Sequence, residues 1–142
     1  MSSDIHVFAR KNDEFIELLC YGRSSDLYQS LNFGAPYEHI APLTQERIED
    51  AINELEAAQE EDQEYDARDK ATIAQVGSWN NTINEKFEAI NELQRAIDER
   101  SVDMRMRATT IGILRFLLNV EADLYYGVDC GSNVTVNYIV SD

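Results

Sequence analysis

A single glycine, Gly77, interrupts what is otherwise a helical pattern running from Thr44 to about residue 101, and this limits the fold more than any other feature of the chain. Thr44 follows Pro42-Leu43 and suits an N-cap. Ile48, Ile52, Leu55 and Ala58 then recur at helical spacing. The pattern turns polar through Glu60-Glu61-Asp62-Gln63-Glu64, and Tyr65 is its next apolar point. After the break at Gly77-Ser78, Thr82-Ile83-Asn84-Glu85 fits a capping box. Ile83, Phe87, Ile90, Leu93 or Gln94, and Ile97 continue as a narrow apolar stripe with charged flanks, closer to a coiled-coil seam than to a broad globular face. The expected element is an antiparallel hairpin over 44–101. At about 1.5 Å per residue its longer arm spans roughly 45–50 Å. A small sheet cannot cover such a seam, so homo-oligomerisation through Ile83, Phe87, Ile90, Ile97 and Phe116 is expected.

The flanks read differently. Residues 4–10 are rich in strand formers, Lys11-Asn12-Asp13 signals a turn, and residues 14–21 form a second apolar run, which together predict a β-hairpin. Gly22 ends it, and Ser24 or Ser25 can cap a short helix through Leu31. Residues 32–43, with Gly34, Pro36 and Pro42, read as a loop. Ser101-Val102-Asp103 reads as a kink or a fresh helix start, followed by a third helical stretch over 106–125 that is apolar nearly all round. Residues 134–140 have strand character and are expected to join the N-terminal hairpin in one sheet. A chain of 142 residues is one domain by default. The expected parts are 1–43 (β-hairpin and short helix), 44–101 (helical hairpin) and 102–142 (core helix and last strand). The fold class is α+β, with a small antiparallel sheet of three or four strands, the long helical hairpin and one further core helix.

Chemistry is sparse. Neither histidine, His6 or His39, sits in a metal-ligand spacing with Cys20 or Cys130, and His6 reads as a structural or surface residue on a strand face rather than a ligand. Cys20 reads as a small buried hydrophobe, and both cysteines as free thiols in a reducing compartment. No serine lies in a nucleophile elbow, and no phosphate-binding glycine motif occurs. The expectation is a protein that is not an enzyme and uses no cofactor or metal. No apolar run is long enough to cross a bilayer, and Met1-Ser2-Ser3-Asp4 lacks the marks of a signal peptide, so the cytoplasm is the expected location.

Charge carries more information. The net charge is −15, which repels nucleic acid at long range and suits a basic partner. Residues 44–70 hold eleven acids against Arg47, Arg68 and Lys70. Residues 95–115 reverse the balance, with Arg95, Arg100, Arg105, Arg107 and Arg115 against Asp98, Glu99 and Asp103. Arginine binds phosphate and carboxylate through a planar fork. Two readings follow: the arginines pair with acids of the neighbouring helix, or Arg105, Arg107 and Arg115 form an anion site, joined by Arg10 or Arg23 from the sheet.

The segments Ser3-Asp4-Ile5-His6-Val7-Phe8 and Gly22-Arg23-Ser24-Ser25-Asp26-Leu27-Tyr28-Gln29-Ser30-Leu31 resemble a group of poorly characterised phage proteins. Those open on a Cys-Asp-Ile-His strand, a second strand, and an Arg-led short helix with a Leu-aromatic pair; Ser3 stands where the group often has Cys. The order of sheet, helical hairpin and returning strand also looks like phage counter-defence sponges, which bind cyclic ADP-ribose or cyclic oligonucleotide signals at a homo-oligomer interface. These resemblances imply an accessory protein acting by stoichiometric binding, as a sequestering factor for an anionic nucleotide. Two alternatives rest on the residues themselves: an acidic nucleic-acid mimic that inhibits a basic host protein, and a structural oligomer.

Overall fold

The computed structural model describes residues 3–32, 35–37 and 39–129, together with the backbone of 139–140. The fold is α+β, and the chain divides into two compact units. One comprises residues 1–54 with 110–142, the other residues 55–109.

The first unit is built on a sheet. Strands β1 (Asp4–Lys11) and β2 (Glu14–Gly22) form the expected hairpin. Asn12 and Asp13, the two residues of its turn, have φ of 54° and 66°, which these short polar side chains tolerate and which matches the twist of the flanking strands. The pairing shifts by one residue between Val7 and Phe8: Val7 faces Leu19, Phe8 faces Glu17, and Leu18 is extra. This is a β-bulge. The full strand order is β2-β1-β4-β3-β5, where β3 is His39–Pro42, β4 is Asp123–Asp129 and β5 is Ile139–Val140. Among the described residues the strands pair antiparallel except β3 with β5, which is parallel, and an isolated parallel bridge joins Tyr37 to Val128.

One sheet face is the core face. Ile5, Val7 and Val128 are fully buried there, and Ala9, Tyr126 and Leu124 nearly so. Helix α1 (Asp26–Leu31) is capped by Ser25, whose Oγ accepts from the Tyr28 N–H at 3.1 Å, and it buries Leu27, Tyr28 and Leu31. The first turns of helix α2 (Gln45–Val76) add Ile48, Ala51 and Ile52 to the core, and the last turns of helix α3 (Ile83–Leu118) add Ile111, Leu114 and Leu117. Thr44 caps α2 as expected, accepting from the Arg47 N–H at 3.1 Å.

The second unit is the helical hairpin. Beyond Gly77, the Ser78 and Trp79 amides bond back to Gln75 and Val76, and Lys86 Nζ donates to the Gly77 carbonyl at 2.9 Å. The Thr82–Glu85 capping box forms in both directions: the Glu85 N–H donates to Thr82 Oγ1 at 3.2 Å, and the Thr82 N–H to Glu85 Oε1 at 3.1 Å. These bonds hold the Glu85 carboxyl below the usual carboxylate range, the backbone bond to Thr82 being the main cause.

Three expectations are corrected. The segment read as a loop contains β3, a four-residue strand too short for periodicity to reveal. Residues 101–103 do not start a fresh helix; α3 is one helix of 36 residues, fastened to α2 by Arg100 on one side of this stretch and Arg107 on the other. The third helical stretch does not reach 125: α3 ends at Leu118, where the Asn119 and Val120 amides close tighter turns onto Phe116 and Leu117. Residues 123–129 are instead strand β4, and its apolar and aromatic residues had merged with the helical run before it. Of the expected last strand, 134–138 lie outside the described residues, and 139–140 join the same sheet as the N-terminal hairpin, at its far edge beside β3.

Candidate functional site

Side chains alternate along a strand, so Asp4, His6, Phe8 and Arg10 share the sheet face opposite Ile5 and Val7. Their neighbours are set by register. His6 lies between Cys20 on β2 and Gly127 on β4, and Asp4 lies between Gly22 and Asp129. Cys20 and Glu17 are three positions apart and would face opposite sides of a regular strand. The extra residue at Leu18 restores Glu17 to the side of Cys20.

The result is a cluster centred on a buried imidazole. His6 is 3% exposed; its Nδ1 lies 2.5 Å from Glu17 Oε1, and its Nε2 lies 2.5 Å from Asp129 Oδ2. Cys20 Sγ is 3.9 Å from the same Nε2. One ligand atom each from Asp4, His6 and Cys20 lie within 4.8 Å of one another. A neutral imidazole has one N–H and one lone pair, so it can donate to only one of its two carboxylates. Satisfying both requires one further proton, on the ring or on a carboxyl, or a cation at the other nitrogen. Phe8 stacks at 6.2 Å from the imidazole, closing one side of the cluster.

Cys20 is exposed, which corrects the reading of it as a buried hydrophobe. Its thiol is pushed up to about 11 by desolvation and then by the negative charges of Asp4, Glu17 and Asp129. A nucleophilic cysteine requires the opposite surroundings. Gly127, beside His6, is dictated by space: a Cβ there would stand 2.1 Å from the His39 carbonyl oxygen.

The arginines singled out from the sequence fall in both units. Arg10, near the turn end of β1, donates to Asp13 at 3.1 Å, lies over the Phe15 ring, and has its pKa raised by hydrogen bonding to Tyr125 and then Asp13. Arg23 follows Gly22 at the opposite end of the same β-hairpin, so these two are about 20 Å apart along the strands. Arg115 is exposed on the last turns of α3, in the sheet unit. Arg105 and Arg107 belong to the hairpin unit. Arg105 is exposed, and Arg107 Nη1 donates to Asp62 at 2.8 Å and to Gln59 at 2.7 Å. Arg100 forks onto Asp66 and Asp69 at 2.5 and 2.9 Å. Arg68 and Arg100 both approach the Tyr65 ring, with guanidinium carbons 5.3 and 5.6 Å from its centre.

The hairpin surface has two characters at once. Tyr65, Trp79, Ile83, Phe87, Val102 and Met106 are exposed, with Ile83 at 72% and Phe87 at 61%. Of the residues expected at an oligomer interface, Ile90 is half-buried, Ile97 is buried, and Phe116, in the sheet unit, is exposed. On α2, Glu54, Glu56, Glu60, Glu61 and Glu64 are exposed. Among the described residues no helix is long and apolar enough to cross a membrane. Comparison with protein-family models, with curated proteins and with solved structures gives no match.

Proposed function

We propose that the protein acts by stoichiometric binding, with its acidic helical hairpin docking on a basic protein surface. The observation that carries this reading is the division of charge within the hairpin. Arg100 and Arg107 are engaged by Asp66, Asp69 and Asp62 of α2, while Glu60, Glu61 and Glu64 are exposed on the same helix. The exposed Trp79, Ile83 and Phe87 at the turn end supply the kind of apolar anchor that hot spots use, within a charged surround that steers the encounter. Ile83 and Phe87, four positions apart on α3, share a face. With a net charge of −15 the partner is a cationic surface, of the kind nucleic-acid-handling proteins carry. The resemblance of the opening segments to phage proteins makes a host protein of that kind the partner class.

The test is capture from a cell lysate at graded salt, comparing wild type with a Glu60→Gln, Glu61→Gln, Glu64→Gln triple variant. Asp62 is left intact because it pairs with Arg107. The reading expects a basic nucleic-acid-handling protein, retained at low salt, released at high salt and lost in the triple variant. Equal capture by both proteins would refute it. Two companion measurements address the other readings. Saturable binding of a cyclic nucleotide that is lost in Arg107→Ala would put nucleotide sequestration in its place. A salt-insensitive homo-oligomer that captures nothing would favour a structural role.

A further inference from the structure

We propose that Asp4, His6 and Cys20, whose ligand atoms lie within 4.8 Å of one another, form a binding site for a divalent transition metal ion of zinc type, which Asp129 beside His6 completes by a turn of its carboxylate. The donor set argues for this class of ion. One imidazole nitrogen, one thiol and two carboxylates suit Zn²⁺ or a similar borderline ion, whereas Mg²⁺ and Ca²⁺ take oxygen ligands alone. The strands bring the donors together from 125 positions of separation in the sequence, Asp4 pairing directly with Asp129 and His6 with Cys20. Two carboxylates directly opposite on adjacent strands repel. A cation between them removes that repulsion.

The environment of His6 has the second feature of a metal centre. Metal-ligating histidines hand their other ring N–H to a carboxylate, which fixes the tautomer and aims the lone pair at the ion. Glu17 occupies that position on Nδ1 at 2.5 Å, leaving Nε2 toward Asp129 and Cys20. A tetrahedral ion about 2.1 Å from nitrogen and oxygen sets their separation at roughly 3.3 Å. The 2.5 Å contact between Nε2 and Asp129 therefore has to widen by a turn of the carboxylate as the ion takes the place of the proton between them. The 3.9 Å separation of Nε2 from Sγ is already close to what the longer metal–sulfur bond, about 2.3 Å, requires. Cys20 is exposed, so the ion has an entry path, and it binds as thiolate with release of its proton to solvent.

Cobalt(II) titration of the full chain tests the site, because a tetrahedral thiolate complex has a thiolate-to-cobalt absorption band. The expected result is one Co²⁺ per chain with that band, displaced by Zn²⁺ but not by Mg²⁺ or Ca²⁺. The band disappears in Cys20→Ser and persists in Cys130→Ser. Since changes at buried His6 can unfold the protein, the positioning role is tested at half-exposed Glu17: Glu17→Gln keeps the band while affinity falls about 10–100-fold. Absence of Co²⁺ uptake, survival of the band in Cys20→Ser, or unchanged affinity in both Glu17→Gln and Asp4→Asn overturns the assignment.

Discussion

Arg107 reaches across the helical hairpin to Asp62, 45 positions earlier in the chain, and donates to it at 2.8 Å. Arg100 repeats the arrangement with Asp66 and Asp69, and both arginine side chains are largely shielded, at 18% and 16% exposure. The charge reversal in residues 95–115 therefore serves, at two of its five arginines, to hold α2 and α3 in register.

Replacing Arg100 by alanine leaves two carboxylates facing each other with no cation between them. A fully buried pair broken this way costs about 3–5 kcal/mol, and an exposed one under about 1 kcal/mol, so about 1–2 kcal/mol is expected here. Urea unfolding gives the magnitude. Hydrogen exchange is expected to place the loss in residues 55–109 and to leave β1 and β4 protected.

Glu85 supplies a pH dependence with a defined sign. Its folded pKa is lowered, chiefly by the backbone hydrogen bond from Thr82. Its contribution is present above the unfolded carboxylate value and is lost as pH falls through the lower, folded value. Fraying of the start of α3, followed by amide exchange at Lys86 and Phe87, is expected to increase on acidification. Glu85→Gln is expected to remove that pH dependence.

The Cys20 thiol, raised to about 11, is expected to be a slow nucleophile. In a Cys130→Ser background without added metal, alkylation of Cys20 at pH 8 should run far below the rate of an unstructured cysteine, whose pKa is about 8.5. Glu17→Gln removes one of the negative charges responsible and should speed it. A fast wild-type rate with no response to Glu17→Gln would contradict the electrostatic account.

Gly127→Ala places a methyl group 2.1 Å from a backbone oxygen of β3. Backbone cannot swing aside as a flexible side chain can, so a loss of about 2–3 kcal/mol is expected in thermal or denaturant unfolding.

Phe87→Glu tests the exposed turn end. At 61% exposure the substitution should change stability by under about 0.5 kcal/mol. If the apolar face binds a second copy, sedimentation equilibrium of this variant shows dissociation. If it binds another protein, capture is lost while the sedimentation behaviour of the isolated chain is unchanged.

Local signals disclosed most of the scaffold. Asn12-Asp13, Ser25, Thr44 and the Thr82–Glu85 box each act within four residues, and each forms as its residue types require. Periodicity failed where two elements of like hydrophobicity adjoin, as α3 and β4 do around Leu118–Asp123. The His6 cluster was half visible: alternation places Asp4 and His6 on one face. Its other members needed the pairing of β1 with β2 and β4, and no spacing within the chain encodes a contact between His6 and Asp129.

The bulge at Leu18 ties the length of a distant turn to the chemistry of that cluster. The two-residue turn at Asn12-Asp13 sets one register near Lys11 and Glu14, and the His6–Cys20 pairing requires a register one residue different. Leu18 absorbs the difference. A turn longer by one residue would let β2 straighten, and Glu17 would then rotate to the core face, taking its carboxylate away from His6 without any residue of the cluster having changed. Insertions in the turn are thus expected to act as mutations of Glu17, and chain length at residues 12–13 becomes as much a determinant of the cluster as the identity of its side chains.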